Sequence, residues 1–199
     1  MVNTPGRGGG LRELTRRAVQ AEIASTAMEL FLAHGFEETT VDQIAAQVGM
    51  SGRSVFRYFA TKEDMVLGEM RAIGDDLAAA LQRRPTSEEP WEALRRALDE
   101  PLAALHSDGG KALARATMLA TTPALRAAQQ QKHAQWHELL VPTLARRLRG
   151  PTSTRKLRAH AIVSAALSCL DVAVDEWTRS GGTKPLESLL DSAIQAVRS

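Results

Sequence analysis

The chain has 199 residues, 44% of them hydrophobic and only 4% aromatic, and 25 Lys and Arg against 23 Asp and Glu leave a formal net charge of +2. That bulk balance decides nothing about nucleic acid, so any basic patch must be local. Cys169 is the single cysteine, which excludes an intrachain disulfide and fits a reducing compartment.

The start, "MVNTPGRGGGLRELTRR", lacks the apolar stretch of a signal peptide, and no later segment has eighteen consecutive apolar residues. A cytoplasmic location with no membrane partner is expected. No segment shows the alternating Val, Ile, Thr and aromatic pattern that strands need, so an all-α fold of about nine helices is predicted.

Residues 1–10 are glycine-rich and read as a flexible tail. From Leu11 to His34 the pattern is helical, with Ile23, Ala27, Leu30 and Phe31 on one face and Gly35 where a left-handed stop is wanted. Thr40 and Gln43 form a capping-box pattern ahead of "VDQIAAQV". A tight "GMS" turn leads to Ser51, which is placed to cap a second short helix. Thr61 and Asp64 suggest the start of a long helix over about 62–83. The break "RRPTSEEP" is a candidate divider between an N-terminal module and a larger C-terminal one; on the helix pattern itself, 11–61 reads as the smaller domain and 62–199 as the larger.

Further on, Trp91, Leu94, Leu98, Leu102 and Leu105 step by three and four, with Pro101 expected to kink their helix. "KALARATMLA" is a short helix. Thr122 and Pro123 open a long one that Pro142 should bend. Val163, Leu167, Leu170, Val174 and Trp177 mark the next, and Leu186, Leu189, Leu190, Ile194 and Val197 mark the last.

The segment "SGRSVFRYF" carries the chemistry. At about 100° per residue, Arg53, Arg57, Ser54 and Tyr58 share an arc of about 140°, opposite Val55, Phe59 and Phe56. One side can anchor in a small core while the other presents donors. Two capped short helices joined by a glycine turn are a helix-turn-helix, whose second helix fits the major groove. An arginine fork suits guanine O6 and N7, and hydroxyls and lysine suit phosphate. Arg7, Arg12, Arg16 and Arg17 are placed to add flanking contacts. The competing reading is a solvated basic face with no DNA role.

"GFEETTVDQIAAQVGMSGRSVFRYFATKEDMV" resembles the DNA-binding domain of the TetR (tetracycline-repressor) family of bacterial regulators, over about Ala18 to Leu67. The resemblance implies a homodimeric, non-enzymatic repressor on palindromic double-stranded operator DNA, released by a small-molecule effector in the C-terminal domain. By position it places Thr40 and Ser51 on phosphates, Gly52, Arg53, Ser54 and Arg57 at base edges, and Tyr58 and Lys62 on the DNA backbone. Many members have tyrosine where this chain has Phe56, which is expected here to pack only.

Effector-pocket candidates in the C-terminal domain are Trp91, Leu105, Met118, Leu119, Trp136, Leu140 and Trp177. Val163, Leu167, Leu170, Val174, Leu186, Leu190 and Ile194 are candidates for a dimer interface built by the last two helices. His133 and His137 stand four apart, but no third ligand lies at a fixed spacing, so no metal and no cofactor is expected. The alternative class is a helical enzyme or metal-binding protein using His106, His133, His137 and His160.

Overall fold

Helix boundaries follow the local punctuation. The structure, a computed structural model, describes residues 8–106 and 110–199, the side chains at 8–9, 69–72, 104–106 and 132 excepted. Among them are ten helices and no strand. The first, α1 (Gly8–His34), begins at Gly8 rather than Leu11. Residues 1–7 of the expected tail, Arg7 included, lie outside the described residues. α1 stops where Gly35 takes φ 94° and its N–H donates to Phe31 O at 2.9 Å, a left-handed turn that glycine adopts at little cost.

α2 (Val41–Gln47) carries the full capping box: Thr40 Oγ1 accepts the Gln43 N–H at 3.2 Å, and Gln43 Oε1 accepts the Thr40 N–H at 2.8 Å. A turn through Gly49 leads to α3 (Gly52–Val55). α4 (Lys62–Arg83) opens with Thr61 Oγ1 accepting the Asp64 N–H at 3.1 Å.

The chain divides into two compact units, Met1–Gly68 and Glu69–Ser199, and α4 begins in the first and continues in the second. The segment "RRPTSEEP" therefore lies inside the second unit and is not a divider. Its composition belongs to a helix end: the Arg147 guanidinium donates to Leu81 O at 2.7 Å, Arg84 O at 2.5 Å and Pro85 O at 2.8 Å. These are the last carbonyls of α4 and its loop, which the helix leaves without partners.

In the first unit Ile23, Ala27, Phe31, Phe36, Ile44, Val55 and Phe59 are buried, and the Phe31 and Phe36 rings lie 5.0 Å apart. Thr39 is also buried; its hydroxyl donates to Gly35 O at 2.8 Å, which satisfies a polar group that would otherwise be costly there.

The second unit adds α5 (Pro90–Ala97), α6 (Asp99–His106), α7 (Lys111–Thr121), α8 (Pro123–Arg147), α9 (Thr152–Arg179) and α10 (Leu186–Arg198). The pair α5 and α6 replaces one expected kinked helix. Pro101 has no N–H for Ala97 O, and the ladder breaks at Leu98. Thr122 stands at the start of α8, yet its side chain makes no capping bond; Pro123 alone sets that start. α8 runs on through Pro142.

α9 packs against α5, α7, α8 and α10. It is long and apolar enough to cross a membrane by length and composition, but Ala159, Val163, Ala166, Leu167, Cys169, Ala173 and Trp177 bury into the unit's core. Cys169 is among them, and that burial pushes its thiol up.

One close approach in this unit depends on a missing side chain. A Cβ on Gly74 would stand 2.5 Å from Trp136 Cδ1 and 2.6 Å from Nε1, and the Trp136 ring is buried. Gly74→Ala gains about 1 kcal/mol of helix propensity but forces a packed indole to move, at a cost of about 1–3 kcal/mol. A net loss of stability in urea denaturation is expected, and Trp136→Leu should relieve it.

Candidate nucleic-acid interface and ligand cavities

Ser51 caps the recognition segment through its Oγ, which accepts the Ser54 N–H at 3.2 Å and lies 3.0 Å from Ser54 Oγ. After α3 the backbone tightens: Arg57 and Tyr58 donate to residues three back, Ser54 O and Val55 O. Val55 and Phe59 are buried, while Arg53 and Arg57 are exposed. No ion pair engages either guanidinium among the described residues. Both guanidiniums therefore face outward over an apolar anchor, while Ser54 and Tyr58, expected on the same side, are half-buried and α3 itself ends at Val55.

The turn places further groups beside them. Arg57 and Arg16 approach the Tyr58 ring, at 5.8 and 6.0 Å from its centroid, and Gln20 Nε2 donates to Tyr58 O at 3.1 Å. α1 thus contributes a cation and a tether beside the candidate surface, whereas Arg17 is paired with Glu13 at 3.1 Å. Gly52 is close to α2: an added Cβ would meet Asp42 Oδ1 at 2.5 Å.

Two expectations need correction here. Lys62 does not offer a free ammonium: its Nζ donates to Phe36 O at 2.7 Å, Thr39 O at 3.2 Å and Glu37 O at 3.4 Å, 4.3 Å from the Phe36 ring centroid. A lysine has three N–H donors, and all are engaged in pinning the α1–α2 loop to the start of α4. Phe56 does not pack away: it is 52% exposed. On the wheel it flanks the apolar arc, and Val55 and Phe59 suffice to fill the small core.

The pocket candidates do not converge. Leu140 and Trp177 are core, Met118 is half-buried, and the Leu105 side chain lies outside the described residues. Trp136 edges a cavity with Asp75, and Trp91 lines another with Arg158 and Arg198. Leu119 alone lines a cavity of about 250 Å³ between α7, α8 and α9, with Ala116, Arg126, Gln129, His133, Asp171 and Asp175 around it. Apolar periodicity marks core, whereas this cavity is walled largely by polar residues.

The dimer candidates are corrected as well. Val163, Leu167, Leu186, Leu190 and Ile194 are buried within the one subunit, with Leu170 and Val174 half-buried against the same core. The outward face of α9 is instead Leu157, Ala161, Ser164, Ser168 and Val172, and that of α10 includes Ser192, Ala196 and Val197.

His133 Nδ1 lies 3.5 Å from Asp171 Oδ2, and His137 Nε2 lies 3.5 Å from Ser164 Oγ, with the His160 ring 6.3 Å away. Among the described residues no group of three or more His, Cys, Asp or Glu is placed to hold a metal. Burial, then His160 and His133, hold His137 below its ordinary value. A histidine kept neutral when folded binds its proton more readily when unfolded, so stability is complete above the unfolded value and falls as pH drops below it. Urea midpoints should therefore decline below about pH 6.5, and His137→Gln should flatten that decline.

A capped helix, a glycine turn and a cation-faced second helix on a buried anchor define a helix-turn-helix DNA-binding protein. Residues 23–68 match the family profile of the bacterial regulatory proteins of the tetR family, and residues 88–199 match the MftR C-terminal domain. The chain is 31% identical to the transcriptional regulator TcmR of Streptomyces glaucescens, over 98% of this chain and 89% of that one. It is 30% identical to the regulator MftR of Mycobacterium tuberculosis, over 87% of each. Among solved structures, the TetR-family repressor FadR of Thermus thermophilus, crystallised with lauroyl-CoA, shares the fold at TM-score 0.60 and 21% identity, over 88% of this chain and 91% of that one. The chain belongs to the TetR family of bacterial transcriptional regulators. The relatives it matches are DNA-binding regulators, not enzymes.

Proposed function

We propose that the protein is a homodimeric repressor that leaves a palindromic operator when a small molecule binds its second unit. The exposed guanidiniums of Arg53 and Arg57, with half-buried Ser54 beside them, over buried Val55 and Phe59 support the reading. Ser51 and Thr40, at the starts of α3 and α2, sit where backbone N–H groups suit phosphates, and Tyr58 with Arg16 supplies flanking contacts. Operators of this kind are cytoplasmic DNA, which sets where the protein works.

One such reader covers too few base pairs for useful specificity, so two half-sites are needed. The outward faces of α9 and α10, rich in small residues, suit close approach of a second copy. The effector enters the α7–α8–α9 cavity, where Arg126, Asp171 and Asp175 provide charged contacts. It acts by binding more tightly to the conformation whose readers no longer fit the operator, through α4, the helix shared by both units.

The test is fluorescence anisotropy of the protein on its own upstream DNA, titrated with a small-molecule library. A compound that releases the DNA should lose potency when Asp171→Asn and Arg126→Gln are combined. Full potency against that variant would place the effector elsewhere.

A further inference from the structure

A second cavity of the larger unit, about 330 Å³, is walled by Trp91, Leu148 and Ile162 and edged by Arg158, Arg198 and Glu89. It shares no residue with the α7–α8–α9 cavity, and its volume lies near the lower end of the range of about 300–1,000 Å³ seen for small-molecule sites. Leu148 is buried and Ile162 half-buried, so an apolar surface forms its wall. Trp91 is the open tryptophan: Trp136 and Trp177 are 4% and 7% exposed, whereas Trp91 is only partly buried.

The rim is cationic on balance, with two guanidiniums against one carboxylate. Neither Arg158 nor Arg198 has an ion-pair partner among the described residues. An indole and two aliphatic side chains favour an apolar body. Each guanidinium favours a carboxylate or phosphate, which it can bind through two parallel N–H donors. We propose that this cavity is a binding site for an apolar molecule carrying one anionic group. Its body lies against Trp91 and Ile162 and its anion is held by Arg158 and Arg198. Ala161, which also belongs to the outward α9 face assigned to the second copy, completes the wall beside Ile162, so the site is independent of the effector assignment above and borders the proposed dimer face.

Decanoate, decanol and decylammonium share one tail and differ in head-group charge, so together they test the proposal on the full chain. Decanoate should bind saturably, with a change in tryptophan emission. Decanol should bind at least about tenfold more weakly, the loss of a charge-assisted contact, and decylammonium more weakly still. Combining Arg158→Gln and Arg198→Gln, both exposed positions, should weaken decanoate at least about tenfold and leave decanol unchanged. Trp91→Phe should abolish the emission change while calorimetry still detects binding. Equal affinity for the three compounds, unchanged decanoate affinity in the double-arginine variant, or no saturable decanoate binding would each overturn the proposal.

Discussion

Replacing Arg53 and Arg57 together by alanine is expected to weaken operator binding at least about a hundredfold while leaving the helical content unchanged. An arginine fork on a guanine is worth about 1–3 kcal/mol of discrimination. A dimer presents each arginine twice, so four contacts vanish at once, and a hundredfold corresponds to about 2.7 kcal/mol. Folding is spared because both side chains are exposed, while the anchors Val55 and Phe59 remain. The salt dependence should also become shallower, since fewer counterions are released. Binding measured against sodium chloride concentration checks both points, and an unchanged affinity would show that the ridge is an ordinary solvated face.

The second large effect concerns assembly. Ser168→Arg with Val172→Arg should convert the dimer to monomer in sedimentation and abolish tight operator binding. Val172 is 61% exposed and Ser168 is also exposed, so the fold tolerates the change. In a two-fold contact each new arginine faces a like charge near the axis. Leu167→Arg makes the contrasting case: Leu167 is 5% exposed, and an unpaired charge buried there should unfold the second unit rather than dissociate a folded dimer. A folded dimer in the Ser168, Val172 variant would place the interface elsewhere.

What the sequence revealed and what it concealed divide along physical lines. Caps and stops depend on residues three or four apart. Thr40 with Gln43, Ser51, Thr61 and Gly35 therefore act as read, and α4 spans the expected 62–83. The outward placement of Arg53 and Arg57 opposite Val55 and Phe59 is legible for the same reason, whereas Phe56, assigned to the same apolar side, is exposed.

Tertiary choices are not written in such short windows. α9 has an inward stripe of Val163 and Leu167 and an outward one of Ala161, Ser164 and Ser168. Hydrophobicity points to the first, which the subunit's own core consumes. Lys62 looks like any cation until the α1–α2 loop brings three carbonyls to it. The cavities are walled by Arg126, Asp171, Arg158 and Arg198, spaced far apart along the chain and carrying no motif. Arg147, which closes the end of α4 from α8, gives no signal at all in sequence.

Hydroxyl-radical footprinting of the protein on its own upstream DNA tests most directly whether α3 reads the duplex as part of a pair. Two protected patches related by a palindrome, on one face of the helix and centred one turn of about 10–10.5 base pairs or a multiple of it apart, are expected, and both should disappear with Arg53→Ala plus Arg57→Ala. A footprint without two-fold symmetry, or one that survives those substitutions, would contradict it.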